Sequence, residues 1–204
     1  MTKANLRSLL KNTLAQISET GRYHDTYLDH ILEACINSVY YQVYAQNPKA
    51  LGQYTKRYTA LTLATGSFGR TECVLTVTLV PLPDKRGGVR NIVCDADQDV
   101  YFTPVTDQEF SLLWEAQGYA LTKTTPIVVY FTPRPTKIEF LGASTSTLFN
   151  STYAMDLLVA FTSLLDTDEV PLPYGKNVEI LKMALEIIGV VPPKDLLDNN
   201  SDIR

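Results

Sequence analysis

Leu6, Leu9, Leu10, Leu14 and Ile17 recur at steps of three and four residues, which places them along one stripe of a helix. Gly21 follows as its C-terminal cap. Thr26 and Asp29 have the spacing of a capping box, in which a hydroxyl and a carboxylate each take an N–H group left open at a helix start. Leu28, Ile31, Leu32, Cys35, Val39 and Val43 keep the same rhythm, so a second helix is expected to about Ala45. His24 stands where it could help cap that helix, and Asn47-Pro48 breaks it. A weaker helical pattern follows around Ala50–Tyr58 and extends towards Leu63.

The period then shortens to two. Cys73, Leu75, Val77 and Leu79 alternate with Glu72, Val74, Thr76 and Thr78, the pattern of a strand. Pro81-Leu82-Pro83 ends it, and Asp84–Gly88 has the composition of a loop. Short β-like runs follow at 89–94, 99–103, 119–123, 126–132 and 136–142, with one or two helical turns over 107–116 around Phe110, Leu113 and Trp114. Asp156–Leu165 fits both periods, and the alternation of Leu157, Val159 and Phe161 favours a strand. Val170–Pro173 is a rigid extended connector before a helix over Asn177–Ile188, with Gly189 after it. The expected fold class is α+β. A helical segment spans 1–63, a body of antiparallel sheet or partial barrel spans 64–173, and a C-terminal helix with an extended tail spans 174–204.

Composition narrows the function classes. The 204 residues are 45% hydrophobic and 20% charged, ordinary for a folded chain. A net charge of -4 argues against a dedicated nucleic-acid binder. The charge is graded: residues 1–60 carry seven Lys/Arg against four Asp/Glu, and residues 141–204 carry four against nine. Such a gradient permits a head-to-tail meeting of basic and acidic surfaces. No apolar run approaches the roughly 18 residues of a membrane span, and the first residues lack the apolar centre of a signal peptide. A cytoplasmic origin with reduced thiols is expected.

Gly66-Ser67-Phe68-Gly69-Arg70 is the most motif-like string. A Gly-Ser turn and later carboxylates are the parts of a metal-dependent nucleotidyltransferase, which would use Ser67 with Asp95 and Asp97. That chemistry, however, places its acids soon after the turn, and here a Pro/Gly loop intervenes. Asp95, Asp97 and Asp99 alternate as cation ligands do, but lack the glycine and closing glutamate of a calcium loop. Cys35, Cys73 and Cys94 form no Cys-x-x-Cys pair and read as buried structural thiols; His24 and His30 do not share a helix face well. No cofactor or metal is implied. Lys85, Arg86 and Arg90 flank Gly87-Gly88 at a solvated hairpin tip, or at a loop facing nucleic-acid phosphate. Tyr40, Tyr41 and Tyr44 cannot all turn into one small core, so part of this group is expected at an oligomer interface.

Arg22, Tyr23, His24, Asp25, Thr26, Tyr27, Leu28, Ile31 and Leu32 open a long helix that is followed by a strand. The Val170–Pro173 connector, the C-terminal helix and the tail Pro193-Lys194-Asp195-Leu196 with Asp198-Asn199-Asn200 complete an order of elements. That order resembles the head-to-tail connector, or neck ring, proteins of tailed-phage virions, and is most similar to those of short-tailed crAss-like phages. The chain departs from that group at Tyr40-Tyr41-Gln42, where a basic residue is more usual. The resemblance implies a non-enzymatic virion protein forming a homo-oligomeric ring, commonly twelvefold, between portal and tail. Its partners would be the portal protein and other neck or tail rings, and DNA would pass through without specific binding. Leu196 and Leu197 would belong to a tail docking on an adjacent ring. An acidic protein suits that passage, because a basic lumen would hold phosphate. The rival readings are the nucleotidyltransferase and a soluble adaptor taking a peptide on a sheet edge.

Overall fold

The computed structural model describes residues 1–17, 23–66, 70–95, 99–115, 127–141, 148 and 150–190. Their helices are α1 (Lys3–Ile17), α2 (Asp25–Gln46), α3 (Asp107–Glu115) and α4 (Lys176–Ile188). Their strands are β1 (Lys56–Thr62), β2 (Ala64–Thr65), β3 (Thr71–Val74), β4 (Val89–Cys94), β5 (Val100–Pro104), β6 (Ile127–Arg134), β7 (Lys137–Leu141) and β8 (Thr152–Leu157). The α+β class is the observed one. The chain divides into two compact units, one from Met1–Tyr54 with Ala160–Arg204 and one from Thr55–Val159. The boundaries expected at 63/64 and 173/174 are replaced by these, and the N- and C-terminal helices share a unit.

In the helical unit, α2 buries Leu28, Ile31, Leu32, Cys35, Ile36, Val39 and Tyr40, and α1 buries Leu6, Leu10 and Leu14. Both follow the three-four spacing. Burial of each such side chain contributes roughly 1.5–3 kcal/mol. The N-cap of α2 is His24, whose Nδ1 accepts from the Thr26 N–H at 3.4 Å. The Thr26–Asp29 capping box is therefore corrected: Asp29 is buried and taken by Arg7, whose Nε and Nη2 donate to it at 2.6 and 2.8 Å. Gly189, with φ 81°, closes α4 in the left-handed conformation that a C-cap requires. Gly21 lies outside the described residues.

The β-rich unit contains two sheets, ordered β1-β8-β4 and β2-β3-β7-β6-β5. All ladders are antiparallel except β5–β6, which is parallel. A parallel neighbour needs a crossover of a dozen residues or more, and the segment carrying α3 supplies it. The weak helix expected to reach Leu63 is corrected: a 3-10 turn ends at Tyr54, and β1 pairs with β8 from Lys56. The strand expected through Leu79 stops at Val74, because the Leu75 and Leu79 N–H groups donate to Thr136 and Pro135 carbonyls instead. Of Asp156–Leu165, only the first two residues are strand, and Phe161–Ser163 is a 3-10 turn. The expected strand at 119–123 lies outside the described residues.

Aromatic rings join the two sheets. Tyr153 of β8 lies 6.2 Å from Phe140 of β7 and 6.2 Å from Phe102 of β5, and Phe131 of β6 lies 6.4 Å from Phe140. Gly88 is buried rather than at a solvated tip; its carbonyl accepts from the Leu158 N–H at 2.7 Å. A Cβ there would sit 2.7 Å from the Leu158 carbonyl oxygen, so only glycine allows this approach.

Candidate functional site

The long helix α2 carries the clearest asymmetry of function-bearing surface. Its charged residues are Asp25, Asp29 and Glu33. At about 100° of turn per residue these fall on the flank facing α1 and the Phe161 turn. Asp29 binds Arg7, Asp25 pairs with Lys11, and Glu33 Oε2 accepts from the Thr162 hydroxyl and N–H at 2.5 and 2.8 Å. The Lys11 hydrogen bond holds the Asp25 carboxyl below its ordinary pKa. The same rotation gathers Tyr27, His30, Ala34, Ser38, Tyr41 and Ala45 within about 80° of one another. This outward stripe holds no Asp, Glu, Lys or Arg. Tyr27 is 48% exposed and Tyr41 41%. Beside it, Ala34, Cys35 and Ser38 meet Met183, Glu186 and Ile187 of α4 in a groove of about 380 Å³.

This sorts the tyrosines. Tyr41 is on the stripe and Tyr44 is half-buried at its side. Tyr40 is corrected: it is 1% exposed, and its hydroxyl donates to the Pro171 carbonyl at 3.0 Å, so it belongs to the core. Burial pushes its phenol pKa up. Tyr27, Ala34 and Ser38 were missed. Their signal was the absence of charge at helical spacing, hidden because Asp25, Asp29 and Glu33 interleave with them in the sequence.

The charge gradient also folds back on itself. Lys3, Arg7 and Lys11 of α1 are matched within the same unit by Asp29, Asp25 and Asp166. Three of the seven Lys/Arg residues of the first sixty are thus paired with acids of their own unit.

The loop of Lys85, Arg86 and Arg90, read as a solvated tip or as a loop facing phosphate, is likewise tied down. Arg90 donates to Asp84 Oδ2 at 2.9 Å and to the Gly87 carbonyl at 2.6 Å, with its side chain 9% exposed. Lys85 donates to both carboxylate oxygens of Glu109 at 2.6 and 2.8 Å. The Lys85 hydrogen bond, then those from Thr106, hold Glu109 down to about 2. Arg90 and Lys85 therefore brace the loop, and Arg86 is its exposed charge. A phosphate contact by the three together is not supported by these pairings.

The remaining candidates have structural uses or lie outside the described residues. Cys35, Cys73 and Cys94 are buried free thiols, and burial pushes Cys35 and Cys73 up to about 11. Asp95 accepts from the Thr152 hydroxyl at 2.5 Å. Ser67, Asp97, Leu196 and Leu197 lie outside the described residues. Among the described residues no group of three His, Cys, Asp or Glu side chains is placed to hold a metal, and no helix is long and apolar enough to cross a membrane.

One buried carboxylate holds the β-rich unit together. Glu139, 5% exposed, meets Arg70 at 3.1 Å, Lys137 at 3.0 Å and Arg134 at 3.6 Å. Burial alone would raise its pKa; the Lys137 hydrogen bond and the charges of Arg134, Lys137 and Arg70 outweigh this and leave it below 4.5. A carboxylate held below its unfolded value contributes stability above that value and loses it as pH falls through the folded value. Acid is therefore expected to lower the denaturation midpoint of this unit below about pH 4.5, and Glu139→Gln to flatten that fall. The single tryptophan, Trp114, lies in this unit with Arg70 5.8 Å from its ring, so its fluorescence reads the transition.

No protein-family model matches the chain, and no curated protein sequence matches it.

Proposed function

We propose that this chain is a structural component of a tailed-phage virion, a protomer of a ring in the neck that links portal to tail and lets the genome pass. The family resemblance of its element order suggests the role. The observation that carries it is the outward stripe of α2: a helix of 22 residues in a chain that is 20% charged turns no charged residue outwards there, and sets two exposed tyrosines on it. Loss of charge with enrichment of tyrosine marks the centre of protein–protein interfaces. The pairing of Lys85 with Glu109 and of Arg90 with Asp84 fits a protein that does not retain passing phosphate. In this reading the protein works by shape, the α2 stripe meets a neighbouring protomer, and the tail with Leu196 and Leu197 meets an adjacent ring.

Native mass measurement on purified neck complexes, with imaging of the purified chain, tests this. Many copies in one closed ring, stacked on portal or tail proteins, are expected. A lone 22.8 kDa species at every concentration, or turnover of nucleotide by the purified chain, would overturn it.

A further inference from the structure

We infer that Tyr174 of one copy enters a proline-walled hole in the β-rich unit of a second copy, a knob and a hole that differ and so join neighbours head to tail. This rests on the self-association proposed above and names surfaces for it. Tyr174 is the most exposed of the large apolar side chains described. Fully exposed in its own chain, the ring can be buried only against another molecule. It is also held still. The Tyr40 hydroxyl donates to the Pro171 carbonyl at 3.0 Å, and the Val170 N–H donates to the Met1 carbonyl at 2.9 Å, so the connector before Tyr174 is pinned. Pro173 has a fixed φ on one side of Tyr174, and the Lys176 N–H reaches across it to the Pro173 carbonyl at 3.2 Å. An aromatic ring on a braced backbone gives up little freedom when it is buried.

The hole, about 370 Å³, is formed by residues 79–85, 87–88, 105–107 and 132–135. Buried Leu79, Leu82 and Val105 line it, with Pro81, Pro83, Pro133 and Pro135 around them and no aromatic side chain. The negative face of an aromatic ring suits the partly positive C–H edges of proline, and proline-rich segments held in aromatic grooves make the same contact with the roles exchanged. Charge decides between occupants. Every charged side chain lining the hole already has a partner: Lys85 has Glu109, Arg134 has Asp107 and Asp84 has Arg90. A charged occupant would find no free counter-charge, whereas a neutral ring leaves these pairs intact. The Asp107 carboxylate, 60% exposed, keeps lone pairs for the tyrosine hydroxyl. The knob belongs to the helical unit and the hole to the β-rich unit. A contact between unlike surfaces repeats from copy to copy, closing into a ring when the rotation permits.

Photo-crosslinking of the full chain tests this, with Tyr174 replaced by a phenylalanine that carries a benzophenone. A covalent dimer whose new bond maps to residues 79–85 or 132–135 is expected. Tyr174→Ala is expected to weaken self-association about tenfold or more, and Tyr174→Phe less, since it keeps the ring. The side chain is exposed, so both variants keep the fold, which helical circular dichroism checks. Rings that form with the bond mapped elsewhere, or that Tyr174→Ala leaves as tight, would overturn the pairing and leave the ring reading standing. A native chain that stays monomeric would overturn both. The expected bond in open chains would uphold the pairing and remove the ring.

Discussion

Asp29→Ala is expected to lower the stability of the helical unit by about 3–5 kcal/mol, the cost of breaking a buried ion pair from one side. The carboxylate sits among two cations that have little access to water. Arg7 donates to it twice, and the Lys3 ammonium lies 3.3 Å away with its side chain 6% exposed. Lys3 would keep its bonds to the Thr162 and Leu164 carbonyls at 3.1 and 2.9 Å, and Arg7 its bond to the exposed Asp166. Neither supplies a full buried counter-charge. Asp29→Asn should fall between wild type and alanine, since it keeps the volume and one acceptor but loses the charge. Helical circular dichroism under urea, with amide exchange of α1 and α2, reads the loss. A change below about 1 kcal/mol would mean that water reaches Lys3 and Arg7 easily.

The second large effect is expected at Tyr153. Its ring, 1% exposed, stacks on Phe140 and meets Phe102 edge-on, and its hydroxyl donates to the Leu148 carbonyl at 2.6 Å. Tyr153→Ala removes the one ring by which the three-stranded sheet enters that aromatic cluster, so about 3–5 kcal/mol is expected, as for other buried aromatic truncations. Tyr153→Phe keeps the ring and should cost only about 1 kcal/mol for the hydrogen bond. Trp114 fluorescence in urea separates the two. Equal losses from both variants would assign the stability to the hydroxyl and not to the packing.

Helices were legible where a stripe of apolar residues repeats over several turns. α2 and α4 stand within about two residues of expectation, and α1 carries the expected stripe, because their buried faces are continuous in sequence. Residues 56–62 were misread because their strand character depends on a partner almost a hundred residues away; the ladder from Lys56↔Leu157 to Thr62↔Thr152 overrides a weak local pattern. The same distance effect ended β3 early, since the turn at Pro135-Thr136 takes the N–H groups of Leu75 and Leu79. The candidate surface was half legible. Tyrosine surplus pointed to α2, but only rotation about the helix axis separates buried Tyr40 from exposed Tyr41. Charged loop residues misled for a related reason: composition counts Lys85 and Arg90 as free cations, and the fold gives each a carboxylate.

The helical unit takes its residues from both ends of the chain, with Thr55–Val159 between them. At about 5–20 residues per second, a ribosome that has finished α2 at Gln46 needs roughly 7–30 seconds more to complete α4 at Ile188. The intervening sheets are synthesised whole before then. The apolar side of α2 must wait, uncovered by its last partner, until translation is nearly over, and that interval is when nascent copies are most exposed to mispairing or to capture by a chaperone.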